Sequence, residues 1–198
     1  MYDGFSYRFI PIKNKVESFN IGLVDTDELY KKLTETFKFD AVGADNYLVD
    51  YQNIYTFMGV MSIRNLLVSS ADAFMEAGEK DRAEKVLDMC RQIMRPDRYP
   101  YDNTLFGWSS NALFPIEMAR CYYGLGKPDK AREVISEIDK ELKESIALFL
   151  DFYPDYKDEF EYNCQLIYYM ANEVSKCGDK EFAKELESDL AAFLNSNS

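Results

Sequence analysis

The 198-residue sequence is 47% apolar and 15% aromatic, enough for a folded core and against long disorder. Its formal charge is −12, from 23 basic and 35 acidic residues, which sets it against nucleic-acid phosphates and anionic lipid surfaces. It contains no histidine, so Ser-His-Asp and Cys-His nucleophile systems are excluded and the commonest metal ligand is missing.

Residues 1–24 alternate aromatic and polar side chains, with Phe5, Tyr7 and Phe9 around Ser6 and Arg8, and then meet Pro11. This pattern predicts an extended arm or a small hairpin. Helical periodicity begins at Asp25. Asp25 and Glu28 have the spacing of a capping box, and Leu29, Tyr30, Leu33 and Phe37 follow at helical intervals. Gly43 and Asp45-Asn46 read as breakers in a connection over 40–50.

A long helix is expected from about Tyr51 to Ala77, closed by Gly78. The next helix carries Ala83, Val86, Leu87, Cys90 and Met94 and stops at Pro96. The same spacing then recurs. Ala71, Gly78 and Ala83 are matched by Ala119, Gly126 and Ala131, and again by Ala171, Gly178 and Ala183, at offsets of 48 and 52 residues. Small residues let two helices approach closely, and a glycine between them supplies a left-handed turn. The spacing is that of the tetratricopeptide (TPR) repeat, although the period is longer and the leading Trp of that repeat is absent.

The expected fold is therefore all-α. TPR-like antiparallel helix hairpins at about 51–95, 104–149 and 156–195 form an α-α superhelix within a helical domain, 25–198, behind the arm at 1–24. Pro115 either kinks its helix or sits in its first turn with Asn111 as cap, and Pro128 suits the start of the next helix. Acidic residues after Pro154 suit a helix N-terminus.

The cysteines, Cys90, Cys121, Cys164 and Cys177, lie in helical pattern without a C-x-x-C pair, which reads as small apolar side chains rather than a zinc site. No Gly-rich phosphate loop, G-x-S-x-G or H-E-x-x-H occurs. The sequence thus offers no catalytic residue, no metal ligand set and no cofactor site. Adjacent carboxylates such as Asp25 and Asp27, or Glu159 and Glu161, read as helix-start residues rather than an acid-base pair. Aromatic clusters are the candidates for binding. Tyr99, Tyr101 and Trp108 fall in a loop between helices, and Tyr122, Tyr123 and Tyr169 lie within them. Tyrosine presents a flat apolar face and a polar tip, suited to a peptide or a sugar.

Several segments resemble the C-terminal region of a family of bacterial multi-spanning membrane proteins, related to protein O-mannosyltransferases of the GT-C type. They are Tyr2-Asp3-Gly4-Phe5 to Ile10-Pro11-Ile12, Gly22-Leu23-Val24-Asp25-Thr26-Asp27 with Leu29-Tyr30, and Phe37-Lys38-Phe39. Arg64-Asn65, Ala83 to Cys90, Arg98-Tyr99-Pro100-Tyr101-Asp102 and Ala119 to Ala131 continue the likeness. The resemblance covers roughly residues 2–135 and is most specific in the N-terminal block. It implies a soluble tail on the periplasmic face of a bacterial inner membrane, preceded by membrane spans in the same polypeptide, with the catalytic acid in that embedded part. No apolar run here reaches the roughly 18 residues of a span. The functional expectation is a non-catalytic binding or scaffolding module for a protein or peptide, or for a glycan, without nucleic acid. The alternatives are a free-standing, cytoplasmic TPR-type peptide binder and, less favoured, a carboxylate-based glycan-active enzyme.

Overall fold

The computed structural model describes residues 24–46, 61–101 and 113–196. The arm expected over 1–24 therefore lies outside the described residues apart from Val24, as do Trp108, Asn111 and the expected start of a helix at Tyr51. The described chain is all-helical, without a β-strand. Two compact units divide at Tyr99 and Pro100.

In the first unit, α1 (Thr26–Lys31) begins where the Asp25 carboxylate accepts from the Glu28 N–H at 3.0 Å, and it runs on as a π turn over Lys32–Thr36. Leu29 and Leu33 fill its buried side. The segment read from sequence as a connection contains a one-turn helix, α2 (Asp40–Gly43), because Val42 and Gly43 both donate to the Phe39 carbonyl. The long helices are α3 (Met61–Glu76) and α4 (Lys80–Ile93), packed as a hairpin. Ala83, Val86, Leu87 and Cys90 form the buried stripe of α4, at intervals of three, one and three residues.

Among the described residues, the second unit holds four helices: α5 (Leu113–Gly124), α6 (Pro128–Asp151), α7 (Lys157–Lys176) and α8 (Lys180–Ser196). Each packs on its neighbour in sequence, and α5 also touches α7 as α6 touches α8. The long α6 buries Ala131, Val134, Ile135, Ile138, Leu142, Ile146 and Phe149 along one stripe. Pro115 is buried at the third described residue of α5, and Pro128 opens α6, where the missing N–H has no intrahelical partner to lose.

Three turns share one backbone geometry. Gly78, Gly126 and Gly178 have φ of 80°, 73° and 98°. The N–H of each glycine donates three residues back, to Met75, Tyr123 and Ser175. The next N–H donates five back, from Glu79 to Phe74, Lys127 to Tyr122 and Asp179 to Val174. This pair of bonds is the Schellman motif, which closes a helix on a left-handed residue. Phe74, Tyr122 and Val174, each three residues after the first alanine of its repeat, are the carbonyl acceptors and are buried. Ala83, Ala131 and Ala183 are buried at 0%, 0% and 5% exposure, as close helix approach requires.

The residue after each glycine is Glu79, Lys127 or Asp179. Their carbonyls accept alike from Ala83, Ala131 and Ala183, at 3.1, 3.2 and 3.1 Å, and only Asp179 also carries a short carboxylate beside the first amides of its helix, where the Phe182 N–H helps hold it ionised. Glu79 reaches outward instead, accepting from Thr26 Oγ1 at 2.8 Å and from Arg82 at 3.0 Å. Arg82 also pairs with Asp27 at 2.7 Å and lies 4.9 Å over the Tyr30 ring, so α1 is held at this turn.

Candidate functional site

The tyrosines singled out from sequence take different places. Tyr99 is fully buried: its hydroxyl donates to the Val42 carbonyl at 2.8 Å, and its own carbonyl accepts from the buried Arg64. Tyr101, also buried, donates its N–H to Glu141 at 2.6 Å and its hydroxyl to Glu137 at 3.1 Å, two carboxylates one turn apart on α6. Tyr122 is core, with Lys130 Nζ 5.5 Å from its ring centroid. These three rings are committed to packing and offer no open face.

Tyr123 belongs to a polar junction. Its hydroxyl donates to Asp179 Oδ2 at 2.9 Å, and Arg132 donates to the same carboxylate through Nε at 2.7 Å and Nη2 at 2.9 Å. The Arg132 and Tyr123 bonds hold the Asp179 carboxyl below the usual aspartate range, while burial and the bond to Asp179 push the Tyr123 phenol up. Nearby on α5 and α7, Arg120 bridges Glu117 and Glu173, and Lys176 adds a 2.6 Å bond to Glu173. These carboxylates are already paired with cations. A shallow, open hollow of about 500 Å³ is lined by Gly78, Glu79, Lys80, Asp81 and Arg82, where Arg82 is bound to Asp27 and Glu79.

Tyr169 alone among the described candidates is exposed, at 44%, beside Tyr168 at 48%. Tyr162, seven residues earlier on α7, shares its stripe and is 37% exposed. Sequence reading missed what lies next to them. At the corner between α6 and α7, Phe152, Tyr153 and Tyr156 stand 56%, 51% and 46% exposed, with Leu148 at 41%. The corner is built. Phe149, buried in the core, stacks on Tyr156 with centroids 5.8 Å apart and planes 22° from parallel. Phe152 packs edge-on with Tyr156 at 6.1 Å, and Tyr153 with Phe160 at 6.1 Å. Backbone bonds from Tyr153 to Leu150, Asp155 to Phe152, Lys157 to Pro154 and Phe160 to Tyr156 fix the turn. Its signal in the sequence was aromatic density in Phe149 to Phe160 around Pro154, but the segment read as an acidic helix start.

Such a surface can do two things chemically: offer flat π-faces, and surround them with carboxylates from Asp151, Asp155, Asp158, Glu159 and Glu161. It holds no arrangement of nucleophile and base. All four cysteines are free thiols; Cys90 and Cys121 are buried, Cys164 and Cys177 half-buried. No helix among the described residues is long and apolar enough to cross a membrane. No family model, curated protein or solved structure matches the chain.

Proposed function

We propose that this chain is a non-catalytic helical-repeat module that binds a protein or peptide, with the α6–α7 corner as part of its contact surface. The observation that carries this reading is the exposure of Phe152, Tyr153 and Tyr156 together at one corner, continued by exposed Tyr162, Tyr168 and Tyr169 on α7. Contiguous exposed aromatics are rare on a surface with no partner, and they dominate binding energy where partners meet. The three Schellman turns, with small residues in the helix contacts, support TPR-like hairpins stacked as an α-α superhelix. Two units with most polar clusters internally paired fit a scaffold better than a reaction centre.

The proposal extends to the parent molecule. The N-terminal segments Tyr2-Asp3-Gly4-Phe5 and Gly22-Leu23-Val24-Asp25 support a soluble tail of a glycosyltransferase-like membrane protein, facing the periplasm. The genomic reading frame tests this part: several apolar spans of about 20 residues upstream are expected, and an in-frame stop just before Met1 removes it.

Selection from a displayed peptide library tests the binding reading. Enriched peptides are expected to bind the wild-type chain and to lose affinity for the triple variant Phe152→Ser, Tyr153→Ser, Tyr156→Ser. No enrichment, or equal binding to both chains, refutes it.

A further inference from the structure

Resting on the binding-module reading above, we propose that the α6–α7 corner receives a basic segment of its partner, a stretch rich in arginine and lysine. Residues 151–161 carry five carboxylates and one cation, and that cation, Lys157, pairs with Glu161 at 3.4 Å. Every residue from Asp151 to Asp158 is exposed. The local charge is therefore strongly negative at the place where the rings stand out. An aromatic face attracts a cation through its quadrupole, and a guanidinium both stacks on a ring and donates in parallel to a carboxylate. Phe152, Tyr153 and Tyr156 supply the faces; Asp151, Asp155, Asp158 and Glu159 supply the acceptors within the same turn and the start of α7.

The alternatives fit this chemistry less well. An apolar helix laid over the corner would strip water from those carboxylates without pairing them. An anionic ligand would be repelled. A neutral sugar would use the rings but has no need of the charge. The exposed stripe of Tyr162 and Tyr169 continues along α7 from the corner, so an extended segment has further rings to follow.

The full chain should be titrated with three labelled 12-residue peptides of one design, bearing arginine and lysine, glutamine, or glutamate at the same positions. A neutral mannose oligosaccharide serves as a fourth probe. Only the basic peptide should bind, and amide NMR shifts in the wild-type chain should map to residues 148–169. The Phe152→Ser, Tyr153→Ser, Tyr156→Ser variant keeps the net charge and should weaken binding about tenfold. Asp155→Asn, Asp158→Asn, Glu159→Gln should do the same. Glu185→Gln, Glu187→Gln, on the exposed side of α8, should change it less than about twofold, the scale of screened surface charge.

Equal binding to the aromatic variant, or shifts spread over the acidic surface, means bulk electrostatics and overturns the proposal. So does no binding, or a corner that responds to the oligosaccharide instead. If library peptides bind through the corner but carry no cationic excess, this inference falls while the binding-module reading stands.

Discussion

Arg132 grips Asp179 through two parallel hydrogen bonds, joining the second hairpin to the capping residue of the third. One carboxylate thus takes a guanidinium and the Tyr123 hydroxyl at once, beside the first amides of α8. Replacing Asp179 with alanine removes the cap and should cost about 1 kcal/mol by chemical denaturation. Asp179→Asn keeps an equally good cap but loses the charge, so its loss at neutral pH should be smaller.

The same group sets a pH dependence. Its folded carboxyl titrates below the ordinary 3.8, so its contribution to stability is complete above that value and is lost as pH falls through the lower folded one. Denaturation midpoints measured from pH 6 downward should therefore show a steeper acid loss for wild type than for Asp179→Asn. Parallel acid arms would mean that the pair does not act in the folded state.

Gly126 has φ of 73° and open space where a Cβ would stand. Gly126→Ala should thus destabilise by backbone strain alone, by about 1–2 kcal/mol. A D-alanine at 126, introduced by chemical ligation, should restore or exceed wild-type stability, because its preferred φ is positive. Equal destabilisation by both stereoisomers would point to a clash instead.

Ala131 is completely buried near the start of α6, the helix that packs on α5. Ala131→Leu should overpack that contact and cost about 1–3 kcal/mol. An unchanged midpoint would show that the contact has room, and would break the equivalence of Ala83, Ala131 and Ala183.

The cysteines should separate by reactivity. Burial pushes the Cys90 thiol up to about 12, so native protein at pH 8 should leave it unmodified by a thiol-specific reagent. Cys164 and Cys177 are half-buried and also raised, chiefly by burial, and should react slowly. All four should react in denaturant. Mass spectrometry of peptides reads the order directly, and rapid native labelling of Cys90 would contradict its packing.

The helical class and the three glycine turns were legible because backbone geometry leaves a local mark. A positive φ needs glycine, and the flanking alanines sit at fixed distances from it. The one-turn helix at Asp40–Gly43 was not legible, since four residues give no periodicity and Gly43 looks like a breaker. The candidate site was harder. Tyr99 and Tyr101 stood out as loop aromatics, yet Arg64, Val42, Glu137 and Glu141, distant in sequence, provide the bonds that draw them inward. Phe152, Tyr153 and Tyr156 carried the same residue chemistry and ended exposed. Composition marks a ring as able to bury; only the path of α6 past Phe149 decides which rings find cover.

Glu79, Lys127 and Asp179 each follow a glycine in three similar turns, but one is a cation and two are anions, and the two anions reach different partners, Thr26 and Arg82 for Glu79, Tyr123 and Arg132 for Asp179. Backbone form is uniform at these turns, while the choice of neighbour is individual. A graft that moved the third hairpin behind a different predecessor would bring Asp179 without its guanidinium. A duplicate of the second hairpin placed third would set the ammonium of Lys127 against Arg132. The hairpins are therefore not exchangeable units, and recombination within this gene should be tolerated only where the order of its turns is kept.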